Sequence, residues 1–506
     1  MFERSDGFVF PEARRAPTRF KNPLAKYILT VGPECDNCGL CIELCPHRVF
    51  MAGAKRPRPA NAQMCAGPDC GFQDHCCILL CPRRALSRRP NPSFELLGDR
   101  RWPPELLAST WHMAETGEVP HQDLNYRTGA SGGGFDKLRF VFPPRKGLYV
   151  RERDISLSIE LNRTGDGRPK ITIPVPFYLA GMSYGSVSIQ TMLSRVRAAA
   201  AWGTFCSTGE GGYPEELHPY DHHVITQVAT GLFGVREETI QRVRVVELKY
   251  AQGAKPGLGG HLLGDKVTPA VARMREAVEG TALFSPFPFH SVYSVEDHKK
   301  HIDWIKQVNP RALVAVKVST PADVDMVAMG CFFAGAHIIQ LDGSYGGTGA
   351  APDIAKKNIA MPLEYAIPKV HRFLKNEGIR QKVTIMASGG IRTPHDMAKI
   401  IALGADGVSL GTADLVALEC VRCHNCESGR GCPRGIATTE PELARLLDPD
   451  WGTQRIVNLY CAWMKVLRSI LKRLGMRSVG ELVGRWDTLV HLDYLRPEDL
   501  QGELEG

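Results

Sequence analysis

The sequence predicts an α/β protein built on a (β/α)8 barrel, preceded by a small cysteine-rich unit and followed by a helical segment. Three observations predict it. From residue 170 short apolar runs alternate with helix-like stretches, the pattern of βα units around a parallel sheet. The runs number eight, over a span close to the roughly 250 residues of a typical barrel. Before residue 82 nine cysteines crowd into two runs, and four more stand in 420-CVRCHNCESGRGC-432.

The 506 residues are 43% hydrophobic and 23% charged, which suits an enzyme with a real core and excludes disorder as the dominant state. The net charge of +8 is scattered through segments such as 13-ARRAPTRFK-21 and 83-RRALSRRP-90. Without a long basic run or interleaved aromatics it argues against nucleic acid and for an acidic protein partner. The first residues hold no apolar signal core, and no run approaches the roughly 20 residues of a membrane span, so a cytoplasmic location is expected. Sixteen cysteines in a reducing compartment point to metal rather than disulfides. Cys206, Cys331 and Cys461 stand outside the clusters and read as small buried hydrophobes.

Residues 1–90 form the first expected unit. The run 35-CDNCGLCIELCP-46 has the spacing C-x2-C-x2-C-x3-C-P, and 65-CAGPDCGFQDHCCILLCP-82 repeats it more loosely. The pair resembles a bacterial two-cluster ferredoxin, in which the last cysteine of each run ligates the other cluster. That resemblance implies a ferredoxin-like domain, with one 4Fe-4S cluster on Cys35, Cys38, Cys41 and Cys81 and another on Cys65, Cys70, Cys77 and Cys45. Cys77 is preferred to Cys76 because it keeps the x3 spacing to Cys81. The unit reads as an electron entry port. Residues 91–165, with WPPE, GGGFDK and FPPRKG, read as a wrapping linker with a few short elements and no assigned function.

Residues 166–440 carry the barrel. Its expected strands are 177-FYLAGMS, 203-GTFCSTG, 245-VVELKYA, 281-TALFSP, 313-LVAVKVS, 337-HIIQLDG, 383-VTIMASGG and 407-GVSLGTA. A barrel places its chemistry on the loops at the C-terminal ends of its strands. Those ends hold Met182, Ser183, Glu210, Gln252, Lys255, Ser285, Lys317, Asp342, Gly389, Gly390, Gly411 and Thr412. Glycines after strands seven and eight match the place where barrels commonly bind a phosphate, because bare backbone amides can approach its oxygens. Lys317, inside LVAVKVS, must meet an anion. The options are an ion pair with Asp342 or, as preferred, a place beside the electron-rich end of a flavin.

The motifs 181-GMSYGSVS, 207-STGEGG, 251-AQGAKPGLGGHLLGDKVT, 341-LDGSYGGTGAAP and 388-SGGI, with GADGVSLGTA, resemble the FMN-binding synthase domain of glutamate synthase. The likeness runs over roughly residues 165 to 495 and includes 466-VLRSILKRLGMRSVGELVGR within the helical segment 441–506. It implies an FMN-binding TIM barrel with Met182, Ser183, Ser207, Gln252, Lys317, Asp342, Gly343, Gly346, Gly347, Gly389, Gly390, Gly411 and Thr412 around the cofactor. It also implies that Lys255 and Arg275 hold the carboxylates of 2-oxoglutarate, that Glu210 handles protons or orients ammonia, and that His261 contacts substrate. For Arg275 the alternative is a surface charge on the helix 269-PAVARMREAVE. Electrons would reach FMN singly from iron–sulfur centres and leave it as a hydride to 2-iminoglutarate, giving glutamate.

Four places depart from the family pattern: Leu258 for glutamate, His261 for glutamine, Leu232 for arginine, and SPFPFHS for SPPPHHD. They leave open an amine such as methylamine, or another 2-oxo acid. Phe2 follows Met1 where a glutaminase would expose cysteine, so ammonia is expected from solution or a separate subunit. The family carries a 3Fe-4S cluster where this chain has C-x2-C-x2-C-x5-C. Cys420, Cys423, Cys426 and Cys432 are therefore expected to hold 4Fe-4S, with 3Fe-4S on three of them or zinc as alternatives. The basic balance suits an acidic ferredoxin or flavodoxin as electron donor. A competing reading is a flavin and iron–sulfur relay subunit of a larger complex.

Overall fold

The computed structural model describes residues 8–22, 24–70, 76–120, 134–144, 150–255, 259–347, 351, 353–427 and 431–494. Eight parallel strands close into a barrel: Phe177–Leu179, Cys206–Ser207, Val224–Ala229, Val245–Lys249, Leu313–Ser319, Ile338–Asp342, Thr384–Ser388 and Gly407–Leu410. The fifth strand, LVAVKVS, is the longest. It is registered on both sides, Leu313 against Val245 and Ala315 against Ile338. Runs of Val, Ile and Leu form such strands because a parallel strand is covered on both faces and its branched side chains pack well against the pleat.

The expected count of eight holds, but one member differs. The run 281-TALFSP is not a barrel strand: Leu283–Phe284 pairs antiparallel with His261–Leu262 in a small hairpin, and Phe284 is exposed. The third barrel strand is Val224–Ala229, VITQVA, every residue of which is buried. Its polar Thr226 and Gln227 hide a core strand in sequence. They are tolerated because the barrel interior carries a polar network, in which Tyr178 Oη donates to Gln340 (2.6 Å), Gln340 donates to Ser388 (3.0 Å) and Gln227 donates to Glu247.

Outside the barrel, the helix Pro449–Arg473 gathers the rest of the chain. It starts on the N-cap Asp448 with Pro449 in its first turn. It lies so close to the helix Ile189–Ala201 that a Cβ on Gly452 would stand 2.3 Å from Ser194 Oγ. Arg455, fully buried, donates to the carbonyls of Ala417, Ala16 and Trp111. Asn458 donates to those of Arg14, Ala114 and Glu115. One helix thus ties the N-terminal strap and the helix Pro104–Thr116 to the end of the barrel.

Between those two attachments, Tyr27–Val31 pairs with Leu86–Pro90 and encloses a separate small core of Val49, Phe50 and Leu86. The linker expected at 91–165 is more structured than its Pro and Gly content implies. It includes the 13-residue helix Pro104–Thr116, whose Leu106, Leu107 and Met113 are buried in the main core. Among the described residues no helix is long and apolar enough to cross a membrane.

Candidate active site at the C-terminal rim of the barrel

A cavity of about 220 Å³ opens over the C-terminal ends of the strands. Met182 and Ser183 line it after the first strand, Glu210 after the second, Gln227 on the third, and Lys249, Gln252 and Lys255 on and after the fourth. Lys317 faces it from the fifth strand and Gly347 from beyond the sixth, while His261 and Arg275 come from the excursion after the fourth. Cys420, Cys423, Cys426 and Cys432 line it too. The distant cysteine loop and the strand-end residues therefore share one space.

Arg275 lies at the end of the helix Pro269–Arg275, which Thr268 caps. Its side chain is buried, not a surface charge: the residue is 3% exposed. One terminal nitrogen donates to Ser183 Oγ (2.9 Å) and the Tyr184 carbonyl (3.0 Å), while Nε is buried with no partner. Burial pulls its pKa down to about 10 against the attraction of Glu210. Gly211, at φ +105°, leaves the room: a Cβ there would meet the guanidinium carbon at 2.4 Å. Among the described residues no carboxylate forms an ion pair with it, and a buried cation left in that state suits an incoming anion.

Glu210 accepts from Lys249 Nζ at 2.7 Å and from Ser285 Oγ. Burial pushes its carboxyl up, but the Lys249 ammonium, the Ser285 hydroxyl and the Arg275 guanidinium together outweigh burial and hold the pKa at about 2. Glu210 is therefore a carboxylate at neutral pH, suited to accepting a hydrogen bond from an amine rather than donating a proton. Gly260 packs against it, since a Cβ there would fall 2.1 Å from Oε1. Ser285, expected at the end of a barrel strand, reaches Glu210 from just after the short strand Leu283–Phe284 instead. His261 sits exposed at the cavity mouth, its ring stacked on Phe284 with centroids 4.4 Å apart.

Lys317 joins both readings offered for it. Its Nζ stands 3.4 Å from Asp342 Oδ2, and the side chain also lines the cavity. Burial disfavours its charge, yet Asp342 and Glu247 more than compensate and raise its pKa. Asp342 further accepts from Gly253 N (2.9 Å) and Ser388 Oγ, so one carboxylate binds the ends of strands four, five and seven.

Several expected residues do not line the cavity. Ser207 lies buried beneath it, 3.0 Å from where a Cβ on Gly181 would be. Gly343, Gly346 and Gly389 serve the close approach of backbone loops: a Cβ on Gly389 would meet the Gly343 carbonyl at 2.7 Å, and one on Gly346 the Asp342 carboxylate at 2.2 Å. Gly411 precedes the short helix Thr412–Ala417, and Thr412 is its first residue. Leu232 is exposed, and Leu258 lies outside the described residues.

In the N-terminal unit Cys35, Cys38, Cys41, Cys77 and Cys81 line one small cavity with Arg83 and Pro57. Burial raises the Cys41 thiol, and Cys35, Cys38 and Cys81 add to the rise. The Cys77 thiol is pushed up to about 12 by burial, then by its neighbours Cys76, Cys45, Cys65 and Cys70. Cys41 thus neighbours Cys81, and Cys77 neighbours Cys45, across the two sequence runs. No group of His, Cys, Asp and Glu among the described residues converges as for a single metal ion. Cys206, Cys331 and Cys461 are buried, and burial lifts their thiols to about 11, 12 and 12.

Residues 147–477 match the sequence model of a family described as conserved region in glutamate synthase. The chain belongs to the glutamate synthase family. Its members are oxidoreductases, and so is this chain. Curated relatives include the archaeal-type glutamate synthase (NADPH) of Thermotoga maritima, 36% identical over 90% of this chain and 92% of that one. The archaeal glutamate synthase (NADPH) of Archaeoglobus fulgidus is 36% identical over the same shares. Among solved structures, a flavocytochrome b2 mutant with benzoylformate aligns at TM-score 0.45 and 16% identity over 73% of this chain and 82% of that one.

Within this synthase-family site the sequence reading missed Lys249 and Gln227, and it left unmarked Arg101, whose guanidinium donates to the Gly390 carbonyl at the end of the seventh strand. Lys249 had a signal, a lysine closing the apolar run VVELK at the end of a strand. Gln227 belonged to the overlooked strand. Arg101 stood in the linker, where nothing local marks it.

Proposed function

We propose that the chain reduces 2-oxoglutarate and ammonia to glutamate, using FMN in the barrel-rim cavity and iron–sulfur clusters on its three cysteine sets. The balance is 2-oxoglutarate, ammonia, two electrons and two protons to glutamate and water. The observation that carries the reading is that one cavity is lined both by Arg275, a buried cation with no carboxylate against it among the described residues, and by all four cysteines of the 420–432 loop.

The residues fit the implied groups. Gly181, Gly209, Gly260 and Gly347 line the cavity and let its wall segments close up on one another, since a Cβ on each would crowd a neighbouring residue. Met182, Ser183, Gln252, Lys317 and Gly347 are assigned to FMN in the cavity, with Ser207, Asp342, Gly343 and Gly346 shaping its floor. Its phosphate is assigned to the glycine turns 389–390 and 411–412. Cys35, Cys38, Cys41 with Cys81, then Cys65, Cys70, Cys77 with Cys45, and Cys420, Cys423, Cys426 with Cys432 are the thiolate sets for three clusters, in a ferredoxin-like N-terminal domain and the barrel loop. When bound, the clusters supply single electrons and the flavin supplies them as a hydride.

The chain's own residues do the rest. Arg275 grips one substrate carboxylate with a planar fork, and Lys255 takes the other. Glu210, ionised and fixed by Lys249, accepts from the amine nitrogen and aims it at the keto carbon. The cation Lys317 favours negative charge in the space above it. His261 on Phe284 forms a flat wall at the mouth, which favours a second reading in which a larger amine such as methylamine replaces ammonia.

The test is anaerobic. The full chain is assayed for iron, sulfide and flavin, reduced with dithionite, and mixed with 2-oxoglutarate and either ammonia or methylamine. Flavin reoxidation with formation of glutamate or N-methylglutamate is expected; reoxidation by neither pair sinks the reading. Unchanged turnover in Glu210→Gln would favour a relay subunit. The same preparation compares NADPH, the donor named for the relatives, with a reduced ferredoxin or flavodoxin.

A further inference from the structure

The turn 98–102 lies in the segment that the sequence reading left without a function. Gly98 is in the left-handed region, φ +79°, and a Cβ there would strike the Trp102 carbonyl at 2.0 Å. Asp99 Oδ1 accepts from the backbone of Arg101 (2.8 Å) and Trp102 (2.9 Å), and Trp102 is buried in the main core. The turn is thus rigid, and it touches two parts of the site. On one side Gly98 N donates to the Val421 carbonyl, and Asp99 pairs with Arg422 (2.8 Å) and His424 (3.4 Å) of the cysteine loop. On the other side Arg101 donates to the Gly390 carbonyl at 3.0 Å, at the end of the seventh barrel strand.

The charge around Arg101 does not balance. Its guanidinium lies 3.5 Å from the centre of the Tyr345 ring and on the Gly390 carbonyl, both neutral partners. Neighbouring Arg392 is matched by Asp136 (3.0 Å) and Asp396 (3.6 Å), while Arg101 has no carboxylate within ion-pair distance among the described residues. Burial, and then Arg392, lower its pKa to about 10 against the pull of Tyr345 and Asp396. A half-buried cation set beside a second cation is stabilised by an arriving anion. The anion that suits a planar guanidinium next to bare glycine backbone is a phosphate monoester.

We propose that Arg101 is the cationic receptor for the phosphate of the flavin nucleotide, placed at the Gly389–Gly390 turn by the N-terminal segment rather than by the barrel. This rests on the reading of FMN as the cofactor. It makes the N-terminal third part of the cofactor site, and one turn then holds both the phosphate end and the cysteine loop.

The experiment strips flavin from the full chain and titrates it with FMN and with riboflavin, which lacks the phosphate, following flavin fluorescence. Arg101→Gln should weaken FMN by about ten- to a hundredfold, the effect of losing one hydrogen-bonded charge, and leave riboflavin unchanged. Arg101→Lys, which keeps the charge and guards against a folding failure, should show the same selective loss at about tenfold or less. Equal weakening of both flavins, or of neither, overturns the proposal and leaves the FMN reading standing. If the unsubstituted chain binds neither flavin, the FMN reading falls and takes this inference with it.

Discussion

The two cysteine-rich regions are built on opposite plans. The N-terminal cysteines sit around their own small core, and the ion pair beside them, Arg83 with Asp36, is exposed. The 420–432 cysteines have no core of their own. They hang from Glu419, which is 0% exposed and receives Arg434, Arg19 at 3.3 Å, and Thr18 at 2.6 Å, with Arg455 at 3.8 Å. The first region is organised by local spacing and the second by long-range pairing. Damage should therefore stay local in one and spread in the other.

The largest contrast is expected from Cys35→Ser against Cys420→Ser. Each should lower iron content by about a third if three cubane clusters are present. Cys420→Ser should abolish glutamate formation from every cluster-borne electron. Cys35→Ser should abolish only turnover driven through the N-terminal unit, while flavin reduced directly still turns over once. Equal behaviour in single-turnover assays would break the comparison.

Next in size is the support of the loop. Glu419→Ala leaves buried guanidinium groups unmatched and should cost about 3–5 kcal/mol in urea unfolding. Asp36→Ala, at the exposed pair, should not move the unfolding midpoint measurably.

Glu210→Gln should lower turnover by about a hundredfold through misplacement of the amine, with little change in flavin content. Its pH signature has a definite sign. Because the folded carboxyl is depressed from 4.5 to about 2, its stabilising effect is complete above 4.5 and is lost as pH falls through 2. The stability gap between wild type and Glu210→Gln, read as urea midpoints, should be constant from pH 5 to 8 and close between 4.5 and 2. The smallest effect belongs to the paired thiols: Cys77→Ser should lose a cluster signal in electron paramagnetic resonance, and Cys76→Ser should keep it.

What was legible follows from range. The ferredoxin-type spacing is written over a few residues, because tight turns alone converge thiolates. The barrel was legible because each fully buried parallel strand must be a short apolar run. VITQVA escaped for the converse reason, since its polar Gln227 is satisfied only by Glu247 from the neighbouring strand. The run 281-TALFSP misled because an apolar dipeptide reads alike in a core strand and in a hairpin that leaves Phe284 exposed.

The sequence by itself determined the fold class, the motif order of the glutamate synthase family and the residue types at the strand ends. Tertiary structure alone decided which of them meet. It put the 420–432 cysteines in one cavity with Arg275, made Glu210 a fixed carboxylate by setting Lys249 against it, and carried Arg101 from the linker to Gly390. Each of these depends on burial or on a charge hundreds or tens of residues away, and neither desolvation nor a long-range ion pair leaves a periodic trace in the chain.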